Sequence, residues 1–187
     1  MNFLKKAIKI FLGAMHPIFK GNQPCYDKYG RFIGWFSRSM AVALFTFCKN
    51  ENGEWCVLAS ERGEEAADFQ GYWNCTCGYL DFSETTKEAA VRECFEETGI
   101  KINPNEVEFF GYEDSPSANH QNVTFRFYTF IEDKTTNSFT FSKEKNEGKE
   151  VGSIKWMTID EIDDYKWAFG HKDLIKKIYE VWKSHHS

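Results

Sequence analysis

The sequence predicts an α/β sandwich. Three observations lead to it. Apolar runs with strand character recur along the chain, turn and hairpin signals separate them, and helices stand among them, a glutamate-rich one mid-chain and an amphipathic one near each end. A length of 187 residues fits one domain with an extension. The expected division is an N-terminal amphipathic helix with its connector over residues 1–36, and the main domain over residues 37–187.

In chain order, Phe3, Leu4, Ala7, Ile8, Phe11, Leu12 and Met15 form a helical stripe with the lysines off it. His16-Pro17 and Gly21 end that helix. Packing on the domain or on a second subunit is the favoured role; attachment to a membrane surface is the alternative. Residues 20–36, with the aromatic run Phe32 to Phe36, read as a connector. SMAVALFTFCK (39–49) reads as a buried strand, Asn52-Gly53 as a hairpin turn, and EWCVLASE (54–61) as the returning strand. RGEEAADFQGYW is a polar loop. Ser83 is placed to cap a helix that Gly99 closes. EVEFFGYED (106–114), NVTFRFYTFIE (122–132) and GSIKWMTI (152–159) are strand-like, with a charged loop over 133–149. A last helix over 172–183 puts Leu174, Ile175, Ile178, Val181 and Trp182 on its apolar side.

Eighteen Phe and six Trp supply a substantial core. The net charge of −5 argues against a general nucleic-acid binder. Of the six cysteines, Cys25 lies in the connector and the others in strand-like runs, on the central helix and in a lone C-x-C without a second pair, so reduced thiols and a cytoplasmic setting are expected. No run reaches the roughly 18 apolar residues of a membrane span, and Lys9 interrupts what would resemble a signal peptide.

The chemistry is concentrated in GYLDFSETTKEAAVRECFEETGI, residues 78–100. Glu93, Glu96 and Glu97 stand at i, i+3 and i+4, neighbours on one helix face. Like charges at that spacing repel unless something positive sits over them. Mg²⁺ suits carboxylate oxygens and bridges to substrate phosphates, so the pattern points to chemistry on a phosphate.

The same residues resemble the box of the Nudix hydrolases, G-x5-E-x7-R-E-U-x-E-E-x-G-U with U a bulky apolar residue. Gly78, Glu84, Arg92-Glu93, Glu96-Glu97 and Gly99-Ile100 occupy its fixed positions, and Cys94 stands at the first U. The resemblance extends loosely over residues 38–180. It implies a Nudix-type α/β/α sandwich with a mixed sheet, and Mg²⁺ (or Mn²⁺) held by Glu93, Glu96 and Glu97. Arg92 would pair with Glu84 and Glu88 to brace the loop and helix. A loop glutamate, Glu150 ahead of Glu147, would add a ligand or base. Gly78 would let backbone approach metal or phosphate, or make a tight turn.

The implied reaction is hydrolysis of a nucleoside diphosphate linked to another group. ADP-ribose or a nucleotide sugar is favoured and a noncanonical triphosphate comes next. Pro116 resembles a proline of the ADP-ribose pyrophosphatase branch, with a simple turn as the other reading. Tyr72, Phe69, Trp73 and Tyr112 are candidates to stack on a base; His120 and His171 are expected to be structural. Trp73-Asn74-Cys75-Thr76-Cys77-Gly78 departs from the usual W-x-x-P-G-G. Cys77-Gly78 resembles isopentenyl-diphosphate isomerases, whose cysteine is catalytic, but Tyr79 stands where they have a metal-binding His. A third alternative is a catalytically silent nucleotide sensor, although no DNA-binding module is evident in the sequence. Many relatives of this kind are homodimers.

Overall fold

The computed structural model describes residues 23–36, 38–115, 122–144 and 148–186. The expected N-terminal helix lies outside them, as do Pro116, His120 and Glu147. The chain divides into two compact units, the first ending at Ser39 and the second beginning at Met40.

In the first unit the stretch expected to be a connector forms a hairpin of β1 (Gln23–Tyr26) and β2 (Phe32–Phe36). The reason is local. The Asp27 carboxylate accepts from the backbone N–H groups of Tyr29 (2.8 Å) and Arg31 (3.0 Å), and Gly30 supplies a φ of 79°.

The second unit is built on a seven-stranded mixed sheet. Its strands are β3 (Met40–Lys49), β4 (Trp55–Arg62), β5 (Trp73–Asn74), β6 (Thr76–Tyr79), β7 (Glu108–Glu113), β8 (Val123–Thr135) and β9 (Val151–Thr158). The order is β5-β4-β3-β8-β7, with β6 also paired to β3 and β9 to β4. Only β3 and β8 run parallel among these pairs, with Met40 opposite Val123 and Phe47 opposite Phe130. Residues 41–48 of β3 are buried without a break, as expected of a strand covered on both faces.

Alternation then sorts side chains between two layers. Ala43, Phe45 and Phe47 join Val57, Ala59 and Met157 in one core, which helix α2 (His171–His185) closes with Ile175 and Ile178. Val42 and Leu44 join Leu58 and Phe127 in the other, closed by Ala89, Ala90 and Cys94 of helix α1 (Thr86–Thr98). The result is the α/β/α sandwich. Val181, placed on the apolar side of α2 by periodicity, is exposed, while Trp182 stacks on Phe130 at 4.2 Å.

Helix α1 starts later than expected. Ser83 has a φ of 69° and turns the chain; Thr85 is the N-cap. Its hydroxyl accepts from Glu88 N, and the Glu88 carboxylate takes the Thr85 N–H (2.7 Å). Glu88 is therefore occupied at the cap and does not pair with Arg92. At the other end Gly99 takes the left-handed conformation, with φ of 78°.

His171, at the start of α2, is buried, and its Nδ1 accepts from the backbone N–H of Cys75 (3.0 Å). Burial, and then the charges of Arg126 and Arg62, pull its pKa down to about 3 from 6.5. The unfolded chain takes a proton that the folded chain refuses. His171 therefore contributes stability that is complete above pH 6.5 and is lost as the pH falls from there toward 3. Denaturant titrations should show wild-type stability falling across pH 6.5 to 5 by up to about 1.4 kcal/mol per pH unit from this group, and His171→Asn should flatten that slope.

Candidate active site

A cleft of about 690 Å³ opens at the edge where β3, β4 and β6 meet the first half of the box and helix α1. Sequence distributes its lining plainly. Strand β4 contributes Ser60, Glu61 and Arg62 at its C-terminal end, β6 contributes Cys77 and Gly78, and α1 contributes Arg92, Glu93, Glu96 and Glu97. Glu150 enters from the turn before β9, and Arg126 from β8.

Arg92 organises this edge. Every N–H of its guanidinium is engaged. Nε donates to Glu84 Oε2 (3.0 Å), Nη2 to Glu84 Oε1 (2.9 Å) and to the Tyr79 carbonyl (2.9 Å), and Nη1 to Glu93 Oε1 (2.9 Å) and Glu96 Oε2 (2.8 Å). The fork on Glu84 holds that carboxyl below the usual carboxylate range, and the same bond raises the arginine further above its own. Glu84 also accepts from Asp81 N (2.7 Å), so it ties loop to helix. The pairing of Arg92 with Glu84 follows the expectation, but its contact with Glu93 and Glu96 does not. The positive group over those two glutamates is supplied by the chain itself.

Glu97 turns the other way. It is 5 % exposed, accepting from the Ser60 hydroxyl (3.1 Å) and from Cys77 N (3.1 Å). A buried carboxylate is costly unless hydrogen-bonded, and these donors from two strands fix its position. Asn74 stands behind them, with its amide nitrogen on the Cys75 carbonyl (2.8 Å) and its oxygen toward Ser60 (3.4 Å).

Gly78 has a reason different from either one expected. It sits in β6 opposite Val42, not in a turn. A Cβ built there would fall inside the Glu93 carboxylate. The missing side chain is the space that Glu93 occupies.

Cys77 lines the cleft, but burial, and then the Glu97 charge, push its thiol up to about 12. The shift disfavours the thiolate that a nucleophilic cysteine needs. Cys94 is buried in the core beneath α1, as a small apolar residue at that box position would be.

Glu150 is held by backbone, with Gly63 N donating to its carbonyl (2.7 Å). Tyr72 is not among the residues lining the cleft. Its ring meets the edge of Phe69 at 5.6 Å and lies under Lys166. Trp73 packs on Tyr165 against the core and Tyr112 is exposed.

Several lining residues gave no sequence expectation: Ser60, Glu61, Arg62, Arg126 and Phe169. Arg126 had a signal, a lone cation inside an apolar strand. Phe169 had none among so many aromatics. Phe169 and Phe69 both carry left-handed backbone, at φ 57° and 49°, a strain of about 1–3 kcal/mol each for a non-glycine residue. Their rings touch at 5.1 Å.

The NUDIX domain family model matches residues 38–178. The chain belongs to the NUDIX family. Its box is complete, and by that membership it is a Nudix hydrolase, a pyrophosphohydrolase. Solved structures share the fold. The NUDIX domain of Shewanella oneidensis NrtR, complexed with ADP ribose, matches with a TM-score of 0.64 at 19% identity, covering 84% of this chain and 94% of that one. The bifunctional NMN adenylyltransferase/ADP ribose pyrophosphatase of Francisella tularensis, complexed with AMP and a Mn ion, gives 0.58 at 18% identity, covering 78% and 42%. A C. elegans Ap4A hydrolase in a binary complex gives 0.56 at 16%, covering 78% and 98%.

The Nudix site can be tested through Gly78. In Gly78→Ala the new methyl must displace only the end of a flexible side chain, so the melting temperature should change little. The Glu93 carboxylate must move, and displacement on the order of 1 Å can cost about 10²-fold in rate. Thermal melting and turnover measured together check both halves.

Proposed function

We propose that this Nudix hydrolase is metal-dependent and cleaves a nucleoside diphosphate joined to a second group. ADP-ribose or a nucleotide sugar is the first candidate and a noncanonical nucleoside triphosphate the next. One observation carries the metal dependence. Among the described residues the cleft is lined by eight acidic side chains against three arginines. Of those arginines, Arg92 is spent on Glu84, Glu93 and Glu96, Arg62 on Asp68, and Arg126 on Glu113. An anionic diphosphate would meet net repulsion there unless cations entered with it.

The donor set fits such a cation. The carboxylates are hard oxygen ligands of the kind Mg²⁺ and Mn²⁺ take, and Gly78 clears the space in which Glu93 stands. Among the described residues no three of them are drawn to a common point; Arg92 holds Glu93 and Glu96, and β4 and β6 hold Glu97. Glu93, Glu96 and Glu97 would bind the ion, with Glu150 as a further oxygen donor, and Arg92 would share the first two with it. Bound there, the metal would neutralise phosphate oxygens, lower the pKa of water and align the diphosphate.

The chain's own part is placement. Ser60 and Cys77 N keep Glu97 from rotating. Arg92 keeps Glu93 and Glu96 on one side of α1 and ties them to the box loop. A water oxygen bonds to one phosphorus, the bridging oxygen leaves with the other phosphate, and a cleft carboxylate takes the water's proton. The ADP ribose and AMP bound by the two neighbours named above support a nucleotide over other diphosphates.

Glu97→Gln keeps the shape and one accepting oxygen, which Cys77 N can still reach, while its NH2 faces the Ser60 hydroxyl and the charge is removed. It should fold normally and lose turnover on the order of a hundredfold or more. Stripping divalent ions with a chelator should abolish turnover, and added Mg²⁺ or Mn²⁺ should restore it. A screen of nucleotides, with products read by phosphatase-coupled phosphate release, tests the substrate. An undiminished rate in Glu97→Gln removes that residue from the mechanism.

A further inference from the structure

The two strained phenylalanines belong to loops a hundred residues apart, and the backbone laces those loops together. Trp73 N donates to the Lys166 carbonyl (2.8 Å) and Ala168 N to the Trp73 carbonyl (2.8 Å). This sets Phe69 beside Phe169, with ring planes at 73°. Further bonds hold each strained position: Tyr72 N to the Phe69 carbonyl, and His171 N to the Ala168 carbonyl. A glycine follows each phenylalanine closely, Gly71 and Gly170. The chain nevertheless places an aromatic ring in left-handed backbone twice, and the rings meet. Strain that the surroundings over-determine is concentrated at ligand clamps and active sites.

Phe169 is also braced from the cleft floor. The Arg62 guanidinium lies 5.0 Å from its ring centre and is itself fixed by Asp68, through the carbonyl (2.8 Å) and the carboxylate (2.6 Å). His171 adds a ring at 5.5 Å. The residue stays 37% exposed, and it lines the cleft. A large apolar ring is thus braced by its neighbours and left partly uncovered in a cleft that also carries eight acidic side chains. Flat apolar surface presented in this way suits a flat partner.

Ser60, which holds Glu97, and Arg62, which braces Phe169, both belong to β4, so one strand joins the acidic end of the cleft to its aromatic end.

We propose that Phe169 is the platform on which the substrate's nucleobase stacks, with Arg62 and Phe69 holding it in place. The inference rests on the nucleotide reading above and assigns the aromatic end of the same cleft to the base. Phe69, an aromatic expected to stack on the base, acts through Phe169 as a positioning residue.

Hydrolysed ADP-ribose yields AMP and ribose 5-phosphate, one product with a base and one without. Calorimetric titration of each product, with Mg²⁺ present, tests the platform. Wild type should bind AMP roughly tenfold or more tightly than ribose 5-phosphate. Phe169→Gly, which relieves the backbone strain, and Phe169→Leu, which keeps apolar bulk, should each lose that preference and leave ribose 5-phosphate binding unchanged. Phe169→Trp should retain it. If the glycine and leucine variants keep the wild-type AMP preference while wild type turns over ADP-ribose, the platform is overturned and the hydrolase reading stands. If wild type neither prefers AMP nor hydrolyses any nucleotide, both fall together.

Discussion

The site depends on one guanidinium. Arg92 satisfies each of its N–H donors on the box itself: two oxygens of Glu84, the Tyr79 carbonyl, and one oxygen each of Glu93 and Glu96. Without it, three carboxylates would crowd one edge of α1 and the loop before the helix would lose its tie. Charge-assisted, forked hydrogen bonds are among the stronger polar contacts a protein makes, and a lysine has neither the planarity nor the donors to replace this set. The clamp explains how the box can be so acidic and still be a rigid turn from strand into helix.

The sheet supplies what the clamp does not. Glu97 points away from Arg92 and into the protein, where Ser60 of β4 and Cys77 N of β6 receive it. Gly78, on the same strand as Cys77, leaves room for Glu93. The three glutamates of one helical turn therefore answer to two different supports, one within the box and one from the sheet edge. The second support is rigid because β3, paired with β6 and β4 along one edge and with β8 along the other, is buried on both faces.

Much was legible in the sequence for reasons that are local. Apolar, strand-like runs point to β3, β4, β8 and β9, and the glycine at 99 to the end of α1. The fixed spacing of the box gave Glu93, Glu96, Glu97 and the Arg92–Glu84 pair. Errors arose where two local signals competed. Ser83 and Thr85 are both good caps; Glu88 completes a capping box with Thr85, while Ser83 takes left-handed backbone and turns the chain. Asp27 and Gly30 made a hairpin of an aromatic stretch read as a connector. Helical spacing puts Glu88 within reach of Arg92 beside Glu84, but Glu88 is drawn to the N-cap.

By itself the sequence determined the family, the layers of the fold and the residues of the box, because each follows from spacing along one strand or helix. Tertiary structure alone decided what surrounds them. That Arg92 covers Glu93 and Glu96, that Ser60 holds Glu97, and that Phe69 meets Phe169 all depend on strands and loops far apart in the chain. Such contacts are set by sheet order and loop pairing, which no periodicity in the sequence encodes.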